Sequence, residues 1–188
     1  LNIKVETLAG IIKPELVLND GEVELVKVDM GEPKLKRNEI PMTGQQADQV
    51  VSETITVDGQ EVKATCVSMG NPHCVVFVDD IEMAPVEELG PKLETHDVFP
   101  EDTNVEFVEV INDKEIEMRV WERGAGVTLA CGTGACGSTV ACQLNDLTSN
   151  KLTVHLLGGD LVIEWNKQDN HVYMNGPATE VFTGQWKL

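Results

Sequence analysis

The chain has 188 residues, of which 41% are hydrophobic, so it is long and apolar enough to bury one substantial core or two small ones. Its 32 acidic and 14 basic side chains give a formal net charge of -18, which argues against nucleic acid or an anionic membrane as partner. No apolar run approaches the ~20 residues of a membrane-spanning helix, and we expect a soluble, cytoplasmic protein.

Short segments rich in Val, Ile and Thr dominate the chain from its first residue and predict a mainly antiparallel sheet. The first residue is Leu1 rather than Met, and it already lies in an alternating segment, so we expect the chain to be part of a longer protein. The predicted strands are residues 1–7, 11–18, 22–29, 53–57, 60–68, 74–78, 103–111, 115–121, 151–157, 160–165, 171–175 and 178–183.

Turn signals join several of these strands directly. The Asn-Asp-Gly at 19–21 and the Asp-Gly at 58–59 are typical of tight hairpins, and the Asn-Asp-Lys at 112–114 predicts a weaker one. Residues 31–52 contain two prolines, two glycines and several polar residues, and are interpreted as a polar linker.

Two segments have helical spacing. Residues 84–94 carry a proline near their start and apolar residues separated by acids, which predicts a surface helix. Residues 133–147 are apolar almost all round, so they predict an enclosed helix. The fold that satisfies both is α+β, with a curved, mainly antiparallel sheet wrapped around the buried helix 133–147.

A cysteine stands at the start of that buried helix, in the sequence Cys131-Gly132-Thr133-Gly134. The glycines let backbone N–H groups converge on a small anion, and the helix adds the positive end of its dipole. Because the same field favours a thiolate, we expect the pKa of Cys131 to be depressed and the side chain to act as nucleophile or base.

The other cysteines favour a structural interpretation. Cys136 and Cys142 lie inside the predicted helix and are interpreted as small apolar core residues, as are Cys66 and Cys74 on strands. Five cysteines are an odd number, which does not suggest a complete disulfide framework. The chain lacks C-x-x-C pairs, which disfavours a zinc-binding or interaction module, and we expect no metal.

Four segments together resemble the diaminopimelate epimerase family, along the whole 188 residues. The resemblance implies a cofactor-independent isomerase that interconverts LL- and meso-diaminopimelate on the bacterial route to lysine and peptidoglycan. It also implies two pseudo-symmetric domains, each contributing one catalytic cysteine to a cleft between them. The segments are Val67-Ser68-Met69-Gly70-Asn71-Pro72-His73, Thr103-Asn104-Val105-Glu106-Phe107, Trp121-Glu122-Arg123-Gly124-Ala125-Gly126 and Thr128-Leu129-Ala130-Cys131-Gly132-Thr133-Gly134.

The family pattern includes a second Cys-Gly-Asn-Gly turn, but residues 1–60 contain no cysteine. We therefore expect a C-terminal portion that is inactive alone and needs the N-terminal domain as its partner. The resemblance implies strands of that other domain at 1–31, the C-terminal epimerase domain at 32–176, and a strand returning to the other domain at 177–188.

The resemblance and the chemistry also assign roles to individual residues. Cys131 exchanges the α-proton, and the N–H groups of Gly132 and Thr133 would hold the α-carboxylate. Glu122 is a natural partner for an ammonium group. Arg123, with Asn71 and Asn104, would bind the distal carboxylate, while His73 and Glu122 would tune the protonation of the cysteines.

Two relatives of the same superfamily are alternatives: a proline racemase-like enzyme and a phenazine-biosynthesis-type isomerase. The arginine of Glu122-Arg123-Gly124 suits a substrate with a second carboxylate, which proline lacks. Phenazine-type isomerases employ a carboxylate where this chain has Cys131. A homodimer, as in the intact enzymes of the family, is a further expectation.

Overall fold

The structure, a computed structural model, describes residues 3–7, 10–44 and 49–186. Its helices are α1 (Val86–Glu94) and α2 (Gly132–Leu144), with two short 3-10 turns at Arg37–Glu39 and Ile81–Met83. Its strands are β1 (Val5–Thr7), β2 (Gly10–Ile12), β3 (Glu15–Asn19), β4 (Glu22–Asp29), β5 (Val50–Val57), β6 (Gln60–Ser68), β7 (Pro72–Phe77), β8 (Asn104–Asn112), β9 (Glu115–Glu122), β10 (Gly126–Val127), β11 (Lys151–Leu156), β12 (Gly159–Trp165) and β13 (Val172–Gly176).

Most described strands join one large sheet. Its order is β3-β4-β13-β12-β11-β9-β8-β7-β6-β5, with β10 paired to β9 and a separate β1-β2 hairpin. The β7–β8 and β9–β11 pairs are parallel, and the other pairs are antiparallel. The predicted mainly antiparallel sheet is confirmed.

The two predicted tight hairpins are present. Asp20 and Gly21 connect β3 to β4, and Asp58 and Gly59 connect β5 to β6. All four residues have positive φ, between 50° and 87°, as a type I′ turn requires. Local turn chemistry therefore sets these two strand registers.

Helix α2 lies at the centre of the sheet. It packs against β6, β7 and β8 from one end of the strand order and against β11, β12 and β13 from the other, so the sheet must curve around it. Residues 134–142 are all buried. The predicted helix 133–147 is confirmed in position, but it ends at Leu144, and Leu147 beyond it is exposed.

Strands β6, β7 and β8 are buried on both faces of the sheet, by two different clusters. Because side chains alternate along a strand, Val67 and Val75 contact the α2 cluster while Cys66 and Cys74 contact a second cluster that contains Leu93 of α1. Helix α1 confirms the predicted surface helix 84–94, although it begins at Val86, after Pro85.

Three sequence predictions are wrong in detail. The strand predicted at 11–18 is divided into β2 and β3, because residues 13–14 interrupt the pairing and Pro14 has no N–H to donate. The strand predicted at 178–183 has no strand pairing in the described residues. The strand predicted at 1–7 is limited to β1 where it is described, and residues 1 and 2 lie outside the described ranges.

The segment 31–52 is packed against the domain where it is described, so its interpretation as a polar linker is wrong. Ile40, Met42 and Val50 belong to the second core cluster, and the backbone of Lys34 pairs with Ser68. Arg37 is also buried, donating to the Thr43 carbonyl oxygen at 2.8 Å and to Glu53. The composition misled because a few apolar residues among many polar ones are enough to hold an irregular segment.

No helix among the described residues is long and apolar enough to cross a membrane.

Candidate active site

Cys131 is the N-cap residue of α2. Its backbone is extended, with φ -133° and ψ 108°, and its Sγ accepts a hydrogen bond from the Gly134 N–H at 3.3 Å. The side chain of Thr133 lies 3.5 Å from the same sulfur. Only 6% of Cys131 is exposed, so its sulfur is held in place at the edge of the core.

The predicted depression of the Cys131 pKa is wrong for this structure. Burial, together with the nearby carboxylates of Glu106 and Glu122, raises the pKa to about 11 in spite of the lowering effect of hydrogen bonds from Thr133 and Gly134. The loss of water around the sulfur therefore outweighs the helix N-terminus. The favourable groups that the sequence indicated are present, but the two carboxylates oppose them.

The first backbone N–H groups of α2 are arranged for an anion. The Gly134 N–H is capped by the Cys131 sulfur, and the Ala135 N–H donates to the Cys131 carbonyl oxygen at 2.9 Å. The N–H groups of Gly132 and Thr133 come before the first acceptors of the helix and so have no intrahelical partner. Both residues are half-buried beside the sulfur, where an incoming carboxylate can accept from them.

A hydrogen-bonded chain of polar side chains runs from the core to Cys131. Nδ1 of His73 lies 2.7 Å from Oε1 of Glu106, and Nε2 lies 3.1 Å from Oδ1 of Asn71. The Asn71 amide then donates to Oγ1 of Thr133 at 3.3 Å. The parallel register of β7 and β8 brings His73 opposite Asn104, two residues before Glu106. The structure therefore places the predicted residues His73, Asn71 and Thr133 in contact.

Glu106 lies beside Cys131 and His73, and no role for it is predicted from the segment Thr103–Phe107 that contains it. Its carboxyl is completely buried, and it faces α2 from the third residue of β8. The signal was present in the alternation of β8, because an acid in a run of apolar residues has to be buried with a partner. That partner, His73, is 33 residues away and is identified only by the parallel pairing.

Asn104 and Arg123 lie together at the end of β9, and Asn104 is also the register partner of His73. The Asn104 amide donates to the Pro72 carbonyl oxygen at 2.9 Å and accepts from the Arg123 N–H at 3.0 Å, so Asn104 fixes both loops. The Arg123 guanidinium is exposed and donates to the Glu101 carbonyl oxygen at 2.8 Å. Arg123 therefore presents a cation at a fixed position on the rim of the site.

Two further groups position this loop and were missed by the sequence analysis. The Glu94 carboxylate at the end of α1 accepts from the Trp121 indole and from the Gly124 N–H, both at 2.6 Å. The Thr128 hydroxyl donates to the Glu122 carboxylate, which keeps Glu122 near Cys131. The Glu94 contacts join residues about 30 apart in the chain and have no local sequence signal, while Thr128 and Glu122 meet because β10 pairs with β9.

Residues 65–181 match the sequence model of a family described as diaminopimelate epimerase. A diaminopimelate epimerase from Moorella thermoacetica is 58% identical over 186 residues, which are 99% of this chain and 66% of that protein. One from Methanococcus maripaludis is 54% identical over 97% of this chain and 66% of its own length. The chain thus spans just under two thirds of the length of these curated relatives.

Solved structures with lower identity have the same fold. A hydroxyproline epimerase from Agrobacterium vitis, solved with trans-4-hydroxy-L-proline bound, has a TM-score of 0.67 at 14% identity, covering 94% of this chain and 56% of that one. A phenazine biosynthesis protein from Bacillus anthracis has a TM-score of 0.59 at 16% identity, covering 94% of this chain and 65% of that one. These likenesses confirm the α+β fold of a curved sheet around a central helix.

Proposed function

The chain belongs to the diaminopimelate epimerase family, and from that premise we propose that the protein inverts one α-carbon of diaminopimelate, converting the LL form to the meso form and back. No cofactor takes part in the proposed reaction, and Cys131 exchanges the α-proton on one face of the substrate. The observation that carries the proposal is the Cys131 sulfur at the α2 N-terminus, beside two N–H groups without intrahelical partners.

The chemistry requires a base, an acid and stabilisation of the charge that develops on the α-carboxylate. As the α-proton leaves, the carboxylate gains enolate character, and the N–H groups of Gly132 and Thr133 can donate to it from a fixed position. The Cys131 thiolate takes the proton in one direction of the reaction, and the thiol returns a proton in the other. Cys131 therefore alternates between base and acid.

Recognition of the far end of the substrate is proposed for the loop after β9. Arg123 provides an exposed guanidinium that suits a carboxylate, and Asn104 holds its backbone in place. Asn71 and Asn104 complete the proposed carboxylate site with their side-chain amides, and Glu122 is proposed to bind the substrate ammonium group. In this arrangement the two ends of the substrate are bound by different elements, α2 and the β9 loop.

Inversion also needs a group on the opposite face of the substrate, and Cys131 is the sole cysteine that reaches the site among the described residues. We propose that a second cysteine outside these 188 residues supplies it. In the same proposal, residues 1–31 and 177–188 belong with the domain that carries this cysteine, and 32–176 form the domain described above. The 188-residue chain alone then has no useful epimerase activity.

Other features fit the same proposal. The five cysteines are free thiols, as expected in the reducing cytoplasm. The intact protein is proposed to work as a homodimer. A proline racemase-like or phenazine-type activity is less well supported, since the fold is common to all three groups while Arg123 provides for a second carboxylate.

The proposal is tested in a form of the protein that spans the relatives' whole length. We expect Cys131→Ser to abolish epimerisation of LL-diaminopimelate, since a hydroxyl is too weak an acid to supply the base near neutral pH, while binding of the substrate survives. The matched control is Cys142→Ala, a buried thiol further along the same helix, which leaves turnover near that of the unaltered protein. Near-normal turnover by Cys131→Ser, or preference for proline over diaminopimelate, would contradict the proposal.

A further inference from the structure

The Glu106 carboxyl group lies in the core and has no role in the reaction proposed above. It is 0% exposed, and its Oε1 lies 2.7 Å from Nδ1 of His73, which is equally buried. Its other oxygen, Oε2, has no hydrogen-bond partner within the described part of the chain. A buried acid with one unpartnered oxygen is costly, which argues that it has a purpose other than packing.

Helix α2 leaves room for this buried pair. A Cβ on Gly134 would lie 2.8 Å from Oε1 of Glu106, and a Cβ on Gly137 would lie 3.2 Å from Cβ of His73. Glycines at these two helical positions therefore let the carboxylate and the imidazole approach the helix closely. The pair is built into the interface between the sheet and the helix that carries Cys131.

The contacts from Glu106 to the sulfur form one unbroken chain, and each member limits its neighbours. Glu106 contacts His73, His73 contacts Asn71, Asn71 contacts Thr133, and Thr133 contacts the Cys131 sulfur. The Asn71 amide has one accepting end and one donating end, so the protonation of Nε2 fixes which end faces His73. The amide orientation in turn fixes whether the Thr133 hydroxyl is free to donate to the sulfur.

Two arrangements satisfy every contact. In the outward arrangement, Nε2 of His73 carries a proton and donates to Oδ1 of Asn71, the amide N–H donates to Thr133, and the Thr133 hydroxyl donates to a Cys131 thiolate. In the inward arrangement the amide is turned by 180°, so that Thr133 donates to its oxygen and the Cys131 thiol donates to Thr133. Nε2 then accepts from the amide and carries no proton.

In both arrangements Nδ1 carries a proton that faces the Glu106 carboxylate. Besides the orientation of the amide and the hydroxyl, they differ in the location of one proton, which is on Nε2 of His73 in the outward arrangement and on Sγ of Cys131 in the inward one. The total charge is the same, and no other reactant is consumed. The outward arrangement provides a base at Cys131, and the inward arrangement provides an acid.

We propose that Glu106 is a positioning residue that acts on Cys131 through His73, Asn71 and Thr133. It holds a proton on Nδ1 of His73, so that the hydrogen-bonded chain adopts either the outward or the inward arrangement. The inference rests on the proposed epimerase function and deepens it. Because Cys131 must be a base in one direction of an epimerisation and an acid in the other, a reversible chain of constant charge suits that reaction.

The charged groups around the chain are few. The carboxylates that face Cys131 are those of Glu106 and Glu122, and the thiol of Cys136 lies further along α2. His73 is faced by Glu106, and α2 carries no charged side chain between residues 132 and 144. A change in protonation at His73 or Cys131 therefore affects chiefly the other residues of the hydrogen-bonded chain.

The test uses two probes in a protein that spans the relatives' whole length, without substrate. One probe is the ¹⁵N signal of the His73 ring nitrogens, and the other is the rate of Cys131 alkylation by iodoacetamide, both followed against pH. We expect the Nε2 signal and the alkylation rate to change over the same pH interval, because Nε2 of His73 and Sγ of Cys131 hold one proton between them and lose it together. Thr133→Val should separate the two intervals by about one pH unit, and Thr133→Ser, which keeps the hydroxyl, should restore their coincidence.

Glu106→Gln tests the other end of the chain. An amide can either donate to or accept from Nδ1, so we expect the His73 signals to show a mixture of both neutral tautomers instead of one. The kcat of epimerisation should fall by about 10- to 100-fold with KM changed less than about twofold, as for residues that act through another side chain. The control is Glu109→Gln, an acid three residues on and on the other face of β8, where it accepts from the Ile81 N–H.

The outcomes separate the two proposals. Independent titration of the two probes in the unaltered protein, or coincidence that survives Thr133→Val, would overturn the chain. Absence of epimerase turnover in the unaltered protein, with the two probes still coupled, would contradict the proposed function and leave the hydrogen-bonded chain in place. If Glu106→Gln fails to fold, the Thr133 pair decides the matter, because residue 133 is half-exposed and outside the buried pair.

Discussion

Cys131 is subject to two opposing influences, and their balance decides the chemistry of the free site. The Gly134 N–H and the Thr133 hydroxyl favour the thiolate, while burial and the carboxylates of Glu106 and Glu122 favour the thiol. The second set wins and raises the pKa of Cys131 to about 11. A bound substrate would bring its own charges, so this value describes the site before substrate enters.

Alkylation of the thiols provides the first prediction. Because the pKa of Cys131 is raised to about 11, we expect its iodoacetamide rate to rise tenfold per pH unit between pH 7 and pH 10 without a plateau. Cys142, with a pKa of about 12 and full burial, should react at least about tenfold more slowly, and Cys136 more slowly still. Mass spectrometry of peptides from timed samples measures all three sites.

The unaltered chain contains its own control for that measurement, since Cys136 and Cys142 lie on the same helix as Cys131. A plateau in the Cys131 rate near pH 7 to 8 would mean a depressed pKa and would restore the expectation drawn from the sequence. Equal rates at the three sites would mean that the helix opens before any of them reacts.

At the scale of single residues, the sequence identified groups that lower the pKa of Cys131, but not whether the pKa is lowered or raised in total. It located Cys131 at a helix start because glycines and a cysteine have a local signature. The burial of Cys131 and the position of Glu106 depend on β8 lying beside β7, and this pairing joins residues about 30 apart in the chain. An electrostatic balance that depends on such neighbours cannot be derived from spacing along the chain.

Among the elements, prediction succeeded where the signal was local. The hairpins at 19–21 and 58–59 have residues suited to positive φ, and α2 has an uninterrupted apolar composition. The strand predicted at 178–183 has the right residue types, but no strand pairs with it among the described residues. A strand needs a partner, and a pattern of residue types does not supply one.

Packing of α1 against β9 yields a second prediction. A Cβ on Gly90 would lie 2.7 Å from Cβ and 2.8 Å from Cγ of Trp121, closer than side chains approach. Alanine favours a helix over glycine by about 1 kcal/mol, but overpacking typically costs about 1–3 kcal/mol. We expect Gly90→Ala to lower the free energy of unfolding and the Tm, measured by circular dichroism. Glu88→Ala, exposed on the same helix, should leave Tm nearly unchanged.

A rise in Tm for Gly90→Ala would show that Trp121 moves aside easily, and that the helix–strand contact is looser than these distances require.

The C-terminal end of α1 leads to a third prediction. The Glu94 carboxylate accepts from both Trp121 and Gly124, and each hydrogen bond to a charged group contributes roughly 1.5–3 kcal/mol. We expect Glu94→Ala to loosen the turn that carries Arg123, so that KM for the proposed substrate rises by about tenfold while the fold persists. Steady-state kinetics of the form that spans the relatives' whole length measure this, with exposed Glu87→Ala as control. An unchanged KM would contradict the proposed role of Arg123 in substrate binding.

At the scale of the whole molecule, the described chain has two clusters with the sheet between them, and the β3–β4 end of the sheet is not covered. Strand β4 pairs with β13 and extends the sheet, but its Val23 and Leu25 are exposed, as are their partners Leu18 and Val17 on β3. A cleft of about 730 Å³ is lined by Val23 and by residues 178–180. Exposed apolar side chains that pair across two strands form a patch rather than scattered single residues.

The last prediction concerns this patch, defined as Val17, Leu18, Val23 and Leu25. If it is covered by the domain proposed to lie outside these 188 residues, the 188-residue chain should bind a hydrophobic dye such as anilinonaphthalene sulfonate more strongly than the longer form does. Val23→Glu together with Leu25→Glu should lower that dye fluorescence, because a charged side chain disfavours apolar contact with the dye. Gln60→Glu with Gln168→Glu adds the same charge at exposed positions away from the patch and should leave the fluorescence high. Equal dye binding by the two lengths of chain would contradict the domain assignment, since the patch would then be open water-facing surface in both.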